Sequence, residues 1–259
     1  MQRAIDSVLN QTSPPLETIV IDDGSSDGSY NELALKYGDS ISLIQNRENK
    51  GVSYSRNQGV NAAQGQWIAF LDSDDVWDRH KLEKQIEFHQ ENPHLRISQC
   101  EEIWIRNGKR VNPKHKHAKK SGQIFKDSLP LCIISPSAVI MEKRLFNEVG
   151  QFDEALPACE DYDLWLRITQ KEEVGLLNEP LITRYAGHED QLSSKHWGMD
   201  RFRVYAMEKH LGADLPHDWK QALHQEYIQK CKVLILGAEK RGNTEMVAFY
   251  NEKLSLIET

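Results

Sequence analysis

Positive charge is in short supply in this chain. Its 259 residues carry 39 Asp and Glu against 32 Lys and Arg, a formal net charge of −7. That balance argues against a general nucleic-acid binder, a class whose affinity comes from neutralising phosphates. Cysteine is scarce as well. Cys100, Cys132, Cys159 and Cys231 are widely spaced with no C-x-x-C pair, so neither a zinc knuckle nor a disulfide scaffold is indicated and buried free thiols are expected. Long apolar runs are missing: the longest, Trp67 to Leu71 and Val233 to Leu236, fall far short of the ~20 residues that span a bilayer. At the N-terminus Asp6 interrupts any secretory-type apolar segment, which gives a cytoplasmic expectation. What is present is globular material. Hydrophobic residues make up 39% and charged residues 27%, with a mean hydropathy of −0.62, and these values exclude disordered and collagenous chains.

The first eighty residues alternate in type. A helix-like start at Arg3 to Asn10 leads to a β-branched run, Thr18-Ile19-Val20-Ile21, and then a Gly/Ser/Asp turn. A second strand is expected at Ser42-Leu43-Ile44, a helix at Ser53 to Ala63, and a third strand at Trp67 to Leu71. Interleaved strands and helices predict an α/β fold with a mixed, mostly parallel sheet flanked by helices. Lys81 to His89 reads as a helix, whereas the basic stretch from Asn107 to Lys120 reads as a loop outside the core. Tyr162 to Ile168 presents Leu164, Trp165 and Ile168 on one helical face. Beyond Gly198 the chain is expected to be helical, so residues 1–200 form the main domain and 201–259 a helical C-terminal extension.

Two apolar strands run into acids. Ile19 to Ile21 is followed by Asp22-Asp23-Gly24-Ser25-Ser26-Asp27, and Trp67 to Leu71 by Asp72-Ser73-Asp74-Asp75. Ligands of open α/β sheets bind outside the carboxyl ends of strands, so the two clusters are expected to converge on one crevice. Clustered carboxylates repel, and a hard cation that bridges them to substrate phosphates relieves the repulsion. Taken singly, each cluster is equally explained as a turn or a helix cap. A third group, Glu160-Asp161-Tyr162-Asp163, opens an apolar helix. The helix dipole there should keep these acids ionised, as a general base requires.

In combination these residues resemble the family 2 glycosyltransferases of the GT-A fold. The resemblance rests on Ile21 to Asp27, Asn49-Lys50-Gly51, Ser55-Arg56-Asn57-Gln58-Gly59, Phe70 to Asp75 and Glu160 to Arg167. It covers residues 1–200 and implies inverting transfer of a sugar from a nucleotide-diphospho-sugar donor to a saccharide or lipid-linked acceptor. On the same footing, Asp22, Asp23 and Arg56 are implied as nucleotide-binding, with Asp72 on the ribose or a metal-bound water. Asp74 is implied as a ligand of a divalent metal, Mn²⁺ or Mg²⁺, with His188 completing its shell. Asp161 matches the catalytic base, with Glu160 beside it as the second candidate. Trp165 is expected in the core, and Trp197 either there or stacked on a sugar. Ser135-Pro136-Ser137 either lines the acceptor side or makes a turn. The basic loop from Lys109 to Lys120 is either solvated or meets an anionic lipid acceptor at a membrane surface. The apolar stripe of the C-terminal helices either caps the domain or mediates self-association.

One feature departs from the family pattern. Members begin with an apolar strand at the centre of the sheet, whereas this sequence opens in the helix that follows it, at Arg3 to Thr12. A segment missing upstream is expected, because every later motif is intact. A degenerate relative that binds nucleotide sugars or a partner without catalysing transfer is the alternative.

Overall fold

A computed structural model describes residues 1–112, 114–187, 196–255 and 257. The chain opens with α1 (Gln2–Leu9), which buries Ala4, Ile5 and Val8 along one stripe. It continues through β1 (Ile19–Asp22), α2 (Ser29–Tyr37), β2 (Ser42–Gln45), α3 (Val52–Ala62), β3 (Trp67–Ala69), β4 (Val76–Trp77) and α4 (Lys81–Glu91). Next come β5 (Ile97–Arg106), β6 (Lys109–Val111), α5 (Phe125–Ser128), β7 (Val139–Glu142), α6 (Lys143–Val149), α7 (Glu160–Thr169) and β8 (Gly175–Ala186). Three helices follow, α8 (Asp200–Glu208), α9 (His217–Glu239) and α10 (Thr244–Ser255). Among the described residues no helix is long and apolar enough to cross a membrane.

The sheet is mixed, but parallel pairs are fewer than expected. β1 pairs with β2 and β5 with β8 in parallel, whereas β3–β7, β5–β7, β4–β8 and β5–β6 are antiparallel. The reason is β7. It enters between β3 and β5 after a largely irregular connection and runs against both neighbours, in the order β3-β7-β5-β8-β4, so no helical crossover of the kind that parallel pairing requires precedes it. β1 and β2 form a separate two-stranded sheet among the described residues.

Two departures fall in the basic stretch. Lys109–Val111 is a strand rather than a loop, hairpinned onto β5 through Asn107 and Gly108, whose φ angles of 50° and 73° suit a two-residue turn. Lys119 is not solvated: its ammonium lies 3.3 Å from Glu102 Oε2 and donates to Gln99 Oε1 at 3.1 Å.

One core cluster packs α6 and α7, through Phe146, Leu164, Trp165 and Ile168, onto Ile97, Val139 and Met141 of the sheet. Trp165 therefore has the expected core role. A second cluster joins Phe125, Tyr162 and Leu166 to Val204, Met207, Leu223, Tyr227 and Tyr250, so the C-terminal helices share a core with α5 and α7. Trp197, by contrast, is half exposed, with Arg201 and Arg241 over its ring.

His210, just past α8, is buried in the join between these layers and shares a hydrogen bond of 2.9 Å with Gln170. Burial, only partly opposed by the charge of Asp163, pushes its pKa down from 6.5 to about 4. The unfolded chain therefore binds the extra proton first. The stabilisation is complete above pH 6.5 and is lost as the pH falls towards 4, a loss of up to about 3 kcal/mol. Chemical denaturation of wild type and His210→Gln at pH 7 and 4.5 checks this. The variant should lose less stability on acidification, and identical losses would refute the assignment.

Candidate active site

α3 holds the site together because the polar residues of its first turns reach out to other segments. Ser53 Oγ donates to the Leu156 carbonyl at 3.5 Å. Asn57 donates to the Phe152 carbonyl and accepts from the Phe152 amide, both at 3.0 Å. Between them, Arg56 turns to the carboxylates. Its guanidinium reaches Asp72 Oδ1 and Glu160 Oε1, each at 2.7 Å, with 13% of the side chain exposed. Burial acts to lower the guanidinium pKa, but the charges of Asp72 and Glu160 outweigh it and raise the pKa above its ordinary value. The second and third acidic clusters are thus joined through one arginine.

The first cluster holds up its own loops. Asp22 is 1% exposed. It accepts from the Ser25 amide at 3.3 Å and from Gln45 Nε2 at 3.0 Å. Asp23 accepts from Asn46 Nδ2 at 2.8 Å and from the amides of Lys50 and Gly51 at 2.9 and 2.8 Å. Desolvation acts to raise the Asp23 pKa, but these donors overcome it and hold the carboxyl below its ordinary value. The turn between the two loops is tight. Gly24 has φ +74°, and a Cβ there would lie 2.7 Å from the Glu48 carbonyl carbon and 2.8 Å from the Asn49 nitrogen. Gly24→Ala is expected to cost about 1–3 kcal/mol through strain and loop displacement. Thermal melting checks the stability loss, and nucleotide titration should show weaker binding. Wild-type values in both would count against the close packing.

The turn after β3 is fixed by a hydroxyl. Ser137 Oγ accepts from the Asp72 amide at 3.1 Å and donates to Asp75 Oδ2 at 2.7 Å, while the Tyr185 amide donates to Asp75 Oδ1 at 3.3 Å. Burial, with the charge of Asp72 adding to it, pushes the Asp75 carboxyl up to about 7. Pro136–Ala138 is a short 3₁₀ turn, so Ser135-Pro136-Ser137 props the acidic turn from beneath. Arg3 Nη2 donates to the Asp74 carbonyl at 3.3 Å, and the Arg3 guanidinium carbon lies 3.9 Å over the Tyr185 ring. Arg184 stands 3.8 Å from Asp75 and 3.6 Å from Glu102. Sequence reasoning missed both arginines because neither sits in a local motif; strand pairing of β4 with β8 brings Arg184 in.

At the start of α7 the two candidate bases differ. At Glu160 burial, with the charge of Asp161 added, raises the carboxyl pKa above its ordinary value despite Arg56. Desolvation outweighs the helix dipole there. Asp161 is half-buried, accepting from the Tyr162 amide at Oδ1 (2.7 Å) and from the Cys132 thiol at Oδ2 (3.4 Å). The residue just before α7, Cys159, holds a left-handed φ of 61°, strain that fixes how the helix enters the site.

For a divalent metal, Asp72 and Asp74 offer an oxygen-only pair on one turn, a donor set that suits Mg²⁺ or Mn²⁺ bridging one or two carboxylates to substrate phosphates. Among the described residues no group of three or more His, Cys, Asp and Glu is placed to hold a metal without such a substrate. His188 lies outside the described residues.

Comparison with known proteins gives the family and the fold. Residues 1–150 match the family described as Glycosyl transferase family 2. The chain is 34% identical over 196 residues to the Escherichia coli UDP-Glc:alpha-D-GlcNAc-diphosphoundecaprenol beta-1,3-glucosyltransferase WfgD, covering 74% of this chain and 73% of that protein. An uncharacterized glycosyltransferase of Rickettsia bellii is 31% identical over 205 residues, which are 75% of this chain but only 29% of the relative. The chain thus spans about a third of the length of several curated relatives it matches. A crystallised segment of Staphylococcus aureus TarS in complex with UDP-GlcNAc superposes with a TM-score of 0.69 at 20% identity, covering 88% of this chain and 67% of that one. The fold is GT-A.

Proposed function

The chain belongs to the family 2 glycosyltransferases, and from that premise we propose that it transfers a sugar, with inversion, from a UDP-sugar to a hydroxyl of a saccharide carried on a diphospholipid. The observation that carries this reading is the Arg56 bridge, which brings the Asp72–Asp75 turn and the start of α7 to one place. A donor site and a base must be adjacent for a single displacement at the anomeric carbon. The UDP donors and the diphosphoundecaprenol acceptor named for similar proteins support the substrate classes.

In the proposed mechanism the acceptor oxygen attacks the anomeric carbon, the bond to the UDP oxygen breaks, and the acceptor proton passes to Asp161. Glu160, tied to Arg56, serves as charge partner rather than proton acceptor. Asp23 and the loop it organises contact the nucleoside, and Asp22 props that loop from within. Arg56 and Asp72 border the ribose and diphosphate. Asp74, with Asp72, would hold a Mn²⁺ or Mg²⁺ ion, whose positive charge would offset charge on the leaving diphosphate.

A thermal-shift panel of UDP, GDP, dTDP and CDP, each with and without Mn²⁺, tests the reading. At 100 times its Kd a ligand stabilises by about 2.7 kcal/mol, or about 5–10 °C at this size. UDP with Mn²⁺ is expected to give the largest shift, and no shift with any nucleotide would overturn the proposal. The separation of the β1–β2 pair from the main sheet favours a second reading, a non-catalytic nucleotide-sugar or partner-binding module. That module would bind UDP without turning over UDP-sugars.

A further inference from the structure

We propose that Cys132 is a positioning residue for Asp161, a thiol rotor that supports the carboxylate both before and after it takes the acceptor proton. The inference rests on Asp161 acting as the base, and the geometry around the sulfur carries the rest. Cys132 Sγ has two acceptors, Asp161 Oδ2 at 3.4 Å and the Ile134 carbonyl oxygen at 3.2 Å. A thiol has one proton to donate. With Asp161 ionised, the S–H points at Oδ2. Once Asp161 carries a proton, its O–H donates to the sulfur and the S–H swings to Ile134.

Neither state leaves a polar hydrogen unpaired in a confined site, where an orphaned donor is costly. The rotor is well seated. Cys132 packs against both large core clusters while remaining half-buried at the site. Its thiol also stays protonated, as a donor must: burial, together with the adjacent Asp161 charge, pushes its pKa well above the ordinary value. Cys159 is the other thiol that bears on it. An aliphatic side chain of this size would fill the packing but leave Asp161 Oδ2 without this donor.

Two readouts test the idea. The first is UDP release from UDP-GlcNAc and UDP-glucose with Mn²⁺. Cys132→Ala is expected to lower kcat about tenfold with the donor KM unchanged, and Cys132→Ser, which keeps a donor, to stay within about threefold of wild type. A merely structural role predicts the opposite order, because burying a hydroxyl against the core is harder on packing than burying a methyl. The second readout needs no turnover: the rate at which iodoacetamide alkylates Cys132, followed by peptide mass at pH 8.

Removing the neighbouring charge in Asp161→Asn should favour the thiolate and speed alkylation about three- to tenfold. Equal alkylation rates in wild type and Asp161→Asn overturn the proposal, as does a Cys132→Ser variant slower than Cys132→Ala. If Asp161→Asn itself turns over donor normally, it is the base assignment that fails. If Asp161→Asn is inactive but Cys132→Ala matches wild type, the base stands and the positioning role falls.

Discussion

Asp161→Asn should reduce sugar transfer by about 10²–10⁴-fold while leaving UDP affinity near wild type. Asn has the shape of Asp, so the amide of Tyr162 still finds an oxygen at the position where it now donates at 2.7 Å. What Asn cannot do is accept the acceptor proton. The loss should therefore fall on kcat, with the donor KM little changed, the pattern of an interaction needed only as the bond forms. Glu160→Gln is the informative contrast. Glu160 is 6% exposed and already engaged by Arg56, so its neutral analogue should weaken the charge cluster and lower the melting temperature more than it lowers kcat. An inactive Glu160→Gln variant beside an active Asp161→Asn, with both folded by circular dichroism, would reverse the two assignments. Wild-type activity in both variants would remove the base from this helix altogether.

The strand ends and their acids were legible because they are local. A β-branched run followed by Asp-Asp-Gly, or an apolar run followed by Asp-Ser-Asp-Asp, declares its own boundary, and β1 and β3 end within two residues of where the pattern puts them. The Ser55-Arg56-Asn57 run was legible as a motif, but its role as a staple between Asp72, Glu160 and Phe152 was not. Its partners lie 16, 104 and 95 residues away. Strand direction was misjudged for a similar reason: alternation of helix and strand fixes order but not the sense in which β7 enters. The Asn107-Gly108 hairpin carried a readable signal, the commonest sequence for a two-residue turn, hidden by the run of lysines around it. The burial of Lys119 depended on Glu102, and the contact of Cys132 with Asp161 on the packing of two clusters. Neither has a periodicity to betray it.

Arg56→Met should be the most damaging single substitution for stability at the site. Arg56 lies between two carboxylates, Glu160 with 8% and Asp72 with 33% of its side chain exposed. Removing the cation leaves Glu160 and Asp161 side by side without the guanidinium that bonds Glu160, and breaking a buried pair of this kind costs about 3–5 kcal/mol. Solvent around Asp72 screens part of that, which favours the lower figure and a melting-temperature drop of about 6–12 °C. Arg56→Lys should recover little. One ammonium cannot span two carboxylates that the guanidinium reaches in opposite arms at 2.7 Å each.

The double variant Arg56→Met with Glu160→Gln separates charge from shape. If the cost is an uncompensated carboxylate, neutralising Glu160 should restore a large part of the lost stability, an interaction between the two changes of about 1–3 kcal/mol. UDP-sugar turnover should not return with it, because Arg56 also fixes Asp72, which the proposed mechanism puts beside the diphosphate. Additive losses in the double variant would mean that Arg56 acts through packing alone, and the bridge between the two acidic motifs would then carry no energy.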